Sequence, residues 1–241
     1  MEPIPTNPQD NQREVSPAAP APDGSPSASA APVPGGSSSA SAAPVPDGSP
    51  SGITDSQLTE ALRTIFTAIG EDPDREGLIG TPDRIIRMWR EIFRGYDPTQ
   101  KPHITTFDND AHNTEMVFDT GDFYSMCEHH MMPFFGQYYF AYIPNDDGRI
   151  LGISKVARVV GYCAARLQLQ ERLAHDIIDM LSDALDNQAQ GFAIVMKARH
   201  MCKSMRGVKN PGAMTVSCFT GCFRCNDALR QEFYQMIAMQ G

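Results

Sequence analysis

The spacing of apolar residues predicts two helices at the start of the folded part of the chain. Thr54-Asp55 is predicted to cap the first helix. After it, apolar residues recur at intervals of three and four, the period of one helix face, until Gly70 ends the run. The second helix begins at Thr81-Pro82, where threonine caps it and proline fits its first turn, and it ends at Gly95. Its inward-facing residues are predicted to be Ile85, Met88, Trp89 and Ile92.

The rest of the chain alternates between β-prone and helical segments. Strands are predicted at 116–118 and 123–125, with a turn at Thr120-Gly121 between them, and at 137–143, 192–196 and 215–219. Helices are predicted after the caps Ser154 and Asp227, and through the apolar series Leu173, Ile177, Leu181 and Leu185. This order of elements is typical of an α+β domain with mainly antiparallel strands.

Residues 1–52 differ from the remainder in composition. They consist mostly of Pro, Ser, Ala and Gly, contain no aromatic residue, and repeat one eight-residue string at 27–34 and 39–46. Such a segment cannot bury enough apolar surface to offset the entropy lost on ordering, so we expect a disordered tail, with a docking or regulatory arm as the alternative. Residues 53–241 have the composition of one ordinary domain, divided into N-terminal helices over 53–96 and a core over 105–241.

Charge and cysteine content narrow the class of protein. A formal net charge of -9 argues against a nucleic-acid or anionic-membrane partner, although a local basic pocket is compatible with it. No segment approaches the roughly 20 apolar residues of a membrane span, and the N-terminus lacks the charged and apolar regions of a secretory signal. The six cysteines are therefore interpreted as thiols or metal ligands, and a cytoplasmic location is predicted.

Cysteine and histidine residues form a candidate zinc site. Cys127 and His130 are a Cys-x-x-His pair, and Cys202 can add a third ligand from a distant segment. Two thiolates and one imidazole suit Zn²⁺, and a site with three protein ligands leaves the fourth position open, as in catalytic zinc sites. His129 and His200 remain available for proton transfer. The alternative is a closed structural site completed by Cys222 or Cys225.

The position of His200 follows from the strand predicted before it. If the chain stays extended as far as Cys202, the two side chains lie on the same face, because residues i and i+2 of a strand do so. His200 would then lie beside the metal. His129 adjoins the ligand His130 and need not face the metal, so a structural role is its alternative.

Basic and amide side chains near these residues indicate an anionic, base-containing substrate. Ser154-Lys155 opens a helix, where free N–H groups attract phosphate, and Arg158 lies one turn later. Arg206 follows Cys202 closely. Further polar residues, which can read the edge of a base, are Gln168, Gln170 and Glu171. The alternatives are a solvated basic face and a glutamate that caps a helix.

These motifs, in this order and at this spacing, resemble the GTP cyclohydrolase I family from about residue 56 to the C-terminus. The segments that carry the resemblance are 74–78, 81–84, 125–130 (Ser-Met-Cys-Glu-His-His), 141–144, 152–155, 168–172 (Gln-Leu-Gln-Glu-Arg), 200–202 and 206–207. Agreement over so many separated motifs is highly specific.

The resemblance implies a tunnelling fold, that is, an antiparallel sheet with helices on one face, assembled as a toroidal homodecamer with active sites at subunit interfaces. It implies conversion of GTP and water to 7,8-dihydroneopterin triphosphate and formate, the first step of tetrahydrofolate or other pterin biosynthesis, with feedback regulation as an open question. The carried-over zinc ligands are Cys127, His130 and Cys202. His200 would protonate N7 of guanine, and His129 would assist ribose opening. The carried-over substrate contacts are Glu171 and Gln170 at the guanine edge, and Ser154, Lys155, Arg158, Arg206 and Arg87 at the triphosphate.

The chain departs from the family pattern at a few positions. Lys203 stands beside Cys202 where many members have an apolar residue, and Cys218, Cys222 and Cys225 are not family signatures. Two rival functions remain open from the sequence: a catalytically silent, zinc-stabilised assembly protein that binds nucleotide, and a tunnelling-fold enzyme acting on another purine or pterin. All carried-over ligands and His200 are present, which favours the enzyme.

Overall fold

The computed structural model describes residues 52–240, and the tail predicted over 1–52 lies almost entirely outside them. Eight α-helices occur in the described residues: α1 Asp55–Ala68, α2 Glu76–Ile79, α3 Thr81–Ile92, α4 Lys155–Ala164, α5 Gln170–Ala184, α6 Met201–Ser204, α7 Cys222–Cys225 and α8 Asp227–Ala238. Short 3-10 turns lie at Arg94–Tyr96 and Pro98–Gln100. In the described part of the chain, no helix is long and apolar enough to cross a membrane.

Between residues 52 and 240, seven strands form two sheets. They are β1 Thr106–Asp108, β2 Val117–Cys127, β3 Pro133–Ile143, β4 Arg149–Leu151, β5 Leu167–Gln168, β6 Gly191–His200 and β7 Met214–Phe219. The main sheet has the order β5-β2-β3-β6-β7 and is antiparallel except for the parallel pair of β2 with β5, while β1 and β4 form a separate antiparallel pair. The prediction of an α+β domain with mainly antiparallel pairing is confirmed.

Both faces of the main sheet are covered by helices over part of their area. On one face, Phe134, Tyr138 and Phe140 of β3 pack with residues of α4 and α5. On the other face, Ala141 and Ile143 pack with Phe223 of α7 and Phe233 of α8. The expectation that all helices of the core lie on one face is therefore wrong, because the C-terminal helices bury a second, smaller apolar cluster on the opposite face.

Helix α1 follows its capping signal, whereas α3 departs from both its predicted cap and its predicted apolar face. The cap position of α3 is Gly80, and Thr81, predicted as the cap, is the first residue of the helix. Thr54 caps α1 with a reciprocal bond to Gln57, and Leu62 is its buried residue. In α3, Pro82 and Ile86 are buried, whereas Met88 is 46% exposed. Met88 was therefore wrongly assigned to the inward face, since the helix packs through the neighbouring positions of its turn.

Three local predictions along the sheet need correction. There is no turn at Thr120-Gly121, because β2 continues through these residues in unbroken register with β3. The cap of α8 is Asn226 rather than Asp227, and its side chain accepts from the N–H groups of the first turn. Strand β6 ends at His200, so Cys202 lies in the helical turn α6 and not in an extended segment.

Candidate active site

The turn between β2 and β3 brings the Cys-x-x-His pair together. Cys127 is the last residue of β2, and its N–H donates to the carbonyl of Met132 at 2.8 Å. The N–H groups of His130 and Met131 return to the Cys127 carbonyl at 3.3 and 2.8 Å. Met131 has a φ of 49°, a left-handed conformation that lets the chain reverse within these few residues. The result is a tight turn that presents both side chains at the end of the sheet.

The third candidate ligand, Cys202, lies on α6 and completes the cluster of candidate metal ligands, Cys127, His130 and Cys202. Ligand atoms of Cys127, His130 and Cys202 all lie within 4.8 Å of one another. The two sulfur atoms are 3.8 Å apart, and His130 Nδ1 lies 4.0 Å from Cys127 Sγ. With Zn–S bonds of about 2.3 Å and Zn–N bonds of about 2.0 Å, tetrahedral ligands are separated by about 3.8 Å (S to S) and about 3.6 Å (S to N). The spacing therefore fits a zinc ion without rearrangement of the backbone.

The chemistry of the donor set also fits a dication. Burial and the neighbouring Cys127 thiol raise the pKa of Cys202, so without a cation the pair favours its neutral form. A bound Zn²⁺ reverses this preference because it binds the thiolate. His129 Nδ1 is also 4.0 Å from Cys127 Sγ, but His129 is not part of the group of three. A second group, His112 with Asp146 and Asp147, is exposed, and His112 Nδ1 lies 3.1 and 3.8 Å from the two carboxylates.

Arg206 contacts the imidazole of His130. Its guanidinium lies 2.6 Å from His130 Nε2, and since a guanidinium can only donate, Nε2 must accept. A metal on Nδ1 would instead require the ring hydrogen on Nε2, and two donors would then face each other. Metal binding through Nδ1 and this contact are therefore mutually exclusive, and a metal on Nδ1 would release Arg206 from His130.

The ring of His200 is held from two directions. It stacks on Phe134, with centroids 4.5 Å apart and an interplanar angle of 2°. Its Nε2 lies 2.8 Å from Gln170 Oε1. Burial lowers the pKa of His200, Glu171 opposes this effect, and Lys203 adds to it. His200 thus lies at the same end and on the same face of the sheet as Cys127, although not by the extended geometry expected from the sequence.

The two residues that begin α5 differ sharply in accessibility. The Gln170 side chain is 1% exposed, and its amide nitrogen donates to the carbonyls of Met196 and Met214 at 2.8 and 3.2 Å. Glu171 is exposed, so its carboxylate is available to a ligand. The two residues expected to bind the base therefore differ in accessibility. The Glu171 carboxylate is exposed, whereas the Gln170 amide is already hydrogen-bonded within the fold.

An ion pair ties the metal-binding turn to α5. Arg172 donates to Glu128, which follows Cys127, and also to Gln168 Oε1 at 2.9 Å and to the Leu167 carbonyl at 3.2 Å. Gln168 is 2% exposed and its amide nitrogen donates to the Cys163 carbonyl at 3.0 Å. Gln168 thus supports the site from inside the core and does not face a substrate.

The residues expected at the triphosphate do not all lie near the metal cluster of the same chain. Ser154 precedes α4 and Arg158 lies on it; both are exposed. The opposite end of α4 approaches the cluster, because Ser125 of β2 donates to the Ala164 carbonyl at 2.8 Å. A ten-residue helix spans about 15 Å.

The other three residues expected to contact the triphosphate lie at three separate positions. Lys155 is the first residue of α4, next to Ser154. Arg87 is exposed on α3, a helix that packs against α1. Arg206 alone touches the cluster, through His130. Within one chain, the candidate ligands therefore lie together with His200 and Arg206. The other basic residues lie on different surfaces.

Sequence reasoning missed the residues that support the site. Phe134 is paired with His200 in the strand register, so the stacking partner could have been found only from the alignment of β3 with β6. Arg172 stands only four residues after Gln168, but Gln168 lies in β5 and not in α5, so a helical period gave no signal for their contact. Its second partner, Glu128, is 44 residues away and had no local signal.

The chain is similar to known proteins over most of its length. A family model described as GTP cyclohydrolase I matches residues 58–238. Relatives named GTP cyclohydrolase 1 are 46% identical over 186 residues in Thermoanaerobacter pseudethanolicus and 45% identical over 190 residues in Clostridium perfringens. The matches cover 77% and 78% of this chain, and 97% and 100% of those relatives. The chain therefore belongs to the GTP cyclohydrolase I family.

Proposed function

We propose that this protein converts GTP and water to 7,8-dihydroneopterin triphosphate and formate. Family membership over residues 58–238 supports the reaction. The observation that carries the proposal for the individual residues is the group Cys127, His130 and Cys202, whose ligand atoms lie within 4.8 Å of one another and which lies at the same end of the sheet as His200. Proton transfer and ring hydrolysis need this combination of metal and imidazole.

Cys127, His130 and Cys202 are the proposed ligands of one Zn²⁺ ion per subunit. When bound, this ion supplies Lewis-acid chemistry and lowers the pKa of a coordinated water toward neutrality. The turn at the end of β2 and the helical turn α6 hold the ligands, and burial of Cys127 limits the access of solvent to its sulfur. The choice of zinc rests on the two thiolates, which soft and borderline metals prefer.

The remaining polar residues are proposed to bind and protonate the substrate. His200 is the proton donor to guanine N7, and His129, which is exposed on the metal-binding turn, assists ribose opening. Glu171 accepts two N–H groups from the guanine edge, a role supported by its exposed carboxylate at the start of α5. Arg206 binds phosphate once it leaves His130.

We propose that Ser154, Lys155, Arg158 and Arg87 complete an active site that lies between subunits of a toroidal homodecamer. The separation of about 15 Å between the ends of α4 supports this, because the start of the helix lies away from the cluster of its own chain. Exposed aromatic and apolar side chains support an assembly: Tyr124 is 73% and Ile153 is 93% exposed. Light scattering of the purified protein would give the subunit number.

The activity is tested by incubating the zinc-containing protein with GTP. We expect formate and, after oxidation, fluorescent neopterin. His200→Ala should keep zinc and GTP binding but lose turnover, because it removes a proton donor and not a ligand. Binding of GTP without formate release by the unmodified protein would indicate the silent assembly protein. Formate from another purine, but not from GTP, would indicate the alternative enzyme.

The cellular setting of the reaction is also proposed. All six cysteines are free thiols in the structure, which supports the predicted cytoplasmic location. The product is expected to enter tetrahydrofolate or another pterin pathway. No partner other than GTP and further copies of this chain is proposed.

A further inference from the structure

The amide of Gln170 has a unique orientation in the fold. Two backbone carbonyls, those of Met196 in β6 and Met214 in β7, lie 2.8 and 3.2 Å from Nε2. A flipped amide would place its oxygen against both carbonyl oxygens, which is repulsive. The nitrogen therefore faces the sheet, and the oxygen must face His200. Gln170 is 1% exposed, so its amide is shielded from water.

This orientation determines the hydrogen on one nitrogen of His200. Gln170 Oε1 is an acceptor only, so the contact of 2.8 Å requires a hydrogen on His200 Nε2. The parallel stack on Phe134, with centroids 4.5 Å apart, fixes the plane of the same ring. Nε2 is therefore held by Gln170, and Nδ1 is the ring nitrogen that remains available to a substrate.

We propose that Gln170 is a positioning residue for His200 and does not bind guanine through its side chain. The inference rests on the proposed role of His200 as proton donor. In this arrangement the Nε2–H bond to Gln170 and the stack on Phe134 orient the ring, and Nδ1 is left for contact with the substrate.

The position of Gln170 in the sequence had favoured a different role. It precedes Glu171, and a glutamine beside a glutamate can contribute a second contact to a base. For that contact, the amide would have to leave two carbonyls and His200 and cross from a buried site to the surface. Each buried polar group left without a partner costs about 1–3 kcal/mol. Glu171, which is exposed, needs no such rearrangement.

The two roles predict different kinetics for Gln170→Met, which removes the polar atoms at similar volume. If Gln170 positions His200, kcat falls by about 10²-fold, the usual effect of a misplaced catalytic group, and KM for GTP is unchanged. If it binds guanine, KM rises. Glu171→Gln, which alters the exposed neighbour, is the matched control and should raise KM. Zinc content is measured in every variant.

A double-variant cycle separates this inference from the proposed function. Gln170→Met should have no further effect on turnover or on GTP affinity in a His200→Ala background, because it acts through that ring. Full turnover by His200→Ala alone would refute the proton-donor role itself. An inactive His200→Ala together with a normal kcat for Gln170→Met would overturn only the positioning role, as would a raised KM.

A second variant covers the case in which Gln170→Met does not fold. Gln170→Glu keeps an acceptor toward His200 and, when protonated, can donate to one carbonyl, so it should lose less kcat than Gln170→Met at unchanged KM. If neither variant assembles, Gln170 serves mainly to connect β6, β7 and α5. That outcome would also overturn the positioning role.

Discussion

Replacement of Arg172 by methionine should destabilise the protein far more than its exposed ion pair alone would indicate. The side chains of Arg172 and Glu128 are 45% and 31% exposed, and such pairs contribute about 0.2–1 kcal/mol. Arg172 is also the donor to Gln168 Oε1, which belongs to a side chain that is 2% exposed. Loss of this donor leaves a buried acceptor without a partner, at a cost of about 1–3 kcal/mol. The second effect should therefore dominate.

The comparison with Glu128→Gln isolates the two contributions. This variant weakens the ion pair but keeps the bond from Arg172 to Gln168, so it should cost about 0.2–1 kcal/mol. Denaturant unfolding of both variants, at one protomer concentration because subunit association contributes to stability, gives the two free energies. Equal losses in the two variants would refute the argument that the buried amide of Gln168 determines the cost.

The same variants should differ in zinc affinity. Glu128 adjoins Cys127, and its own N–H donates to the Gln168 carbonyl at 3.1 Å. Arg172 therefore restrains the metal-binding turn through Glu128 and through Gln168. Contacts that orient metal ligands typically change affinity by about 10–100-fold, so Arg172→Met should weaken zinc binding within this range. A chelator competition titration measures it, and unchanged affinity would show that the turn is rigid without α5.

Three further predictions concern the cysteines and the tail. Cys202→Ser should lose zinc and activity while Cys222→Ser keeps both, as metal analysis would show, and zinc loss only on removal of Cys222 and Cys225 would reverse the assignment. Burial raises the pKa of Cys163 from 9.0 to about 12, so its thiolate fraction is about 10³-fold lower, and iodoacetamide should label exposed Cys225 first in timed mass spectra. Deletion of 1–52 should leave the melting temperature and kcat unchanged, whereas loss of activity would make the tail a structural element.

The sequence predicted the elements of this fold well where local signals are strong. The cap at Thr54 and the β-prone segment ending at Ile143 reappear in α1 and β3. It failed where a local signal was outweighed by pairing. Thr120-Gly121 has the composition of a turn, yet the residues remain extended because their backbone groups pair with β3. The placement of α8 on the second face depends on contacts between distant residues, which periodicity does not encode.

The candidate ligands were predictable because this combination of cysteine and histidine residues is rare. The residues that orient the site were not predictable. A Cys-x-x-His pair with a distant cysteine is recognisable from residue types alone. The expectation that His200 lies beside Cys202 used an extended backbone, and the structure has a helical turn there instead. The contacts that actually orient His200, with Phe134 and Gln170, depend on strand register and on the direction of one amide. Neither the strand register nor the direction of the amide has a local sequence signal.

The first turn of α5 contacts both the sheet and the groups of the candidate active site. Gln170 bonds at once to β6, β7 and His200, and Arg172, two residues later, bonds to the metal-binding turn. The first turn of α5 therefore connects the sheet with the groups proposed to bind metal and to transfer a proton. Since Glu171 lies between these residues and faces solvent, a base bound there would be held by the same rigid turn. Displacement of α5 should consequently impair metal binding, proton transfer and base recognition together, whereas changes in α8, on the opposite face, should affect stability alone.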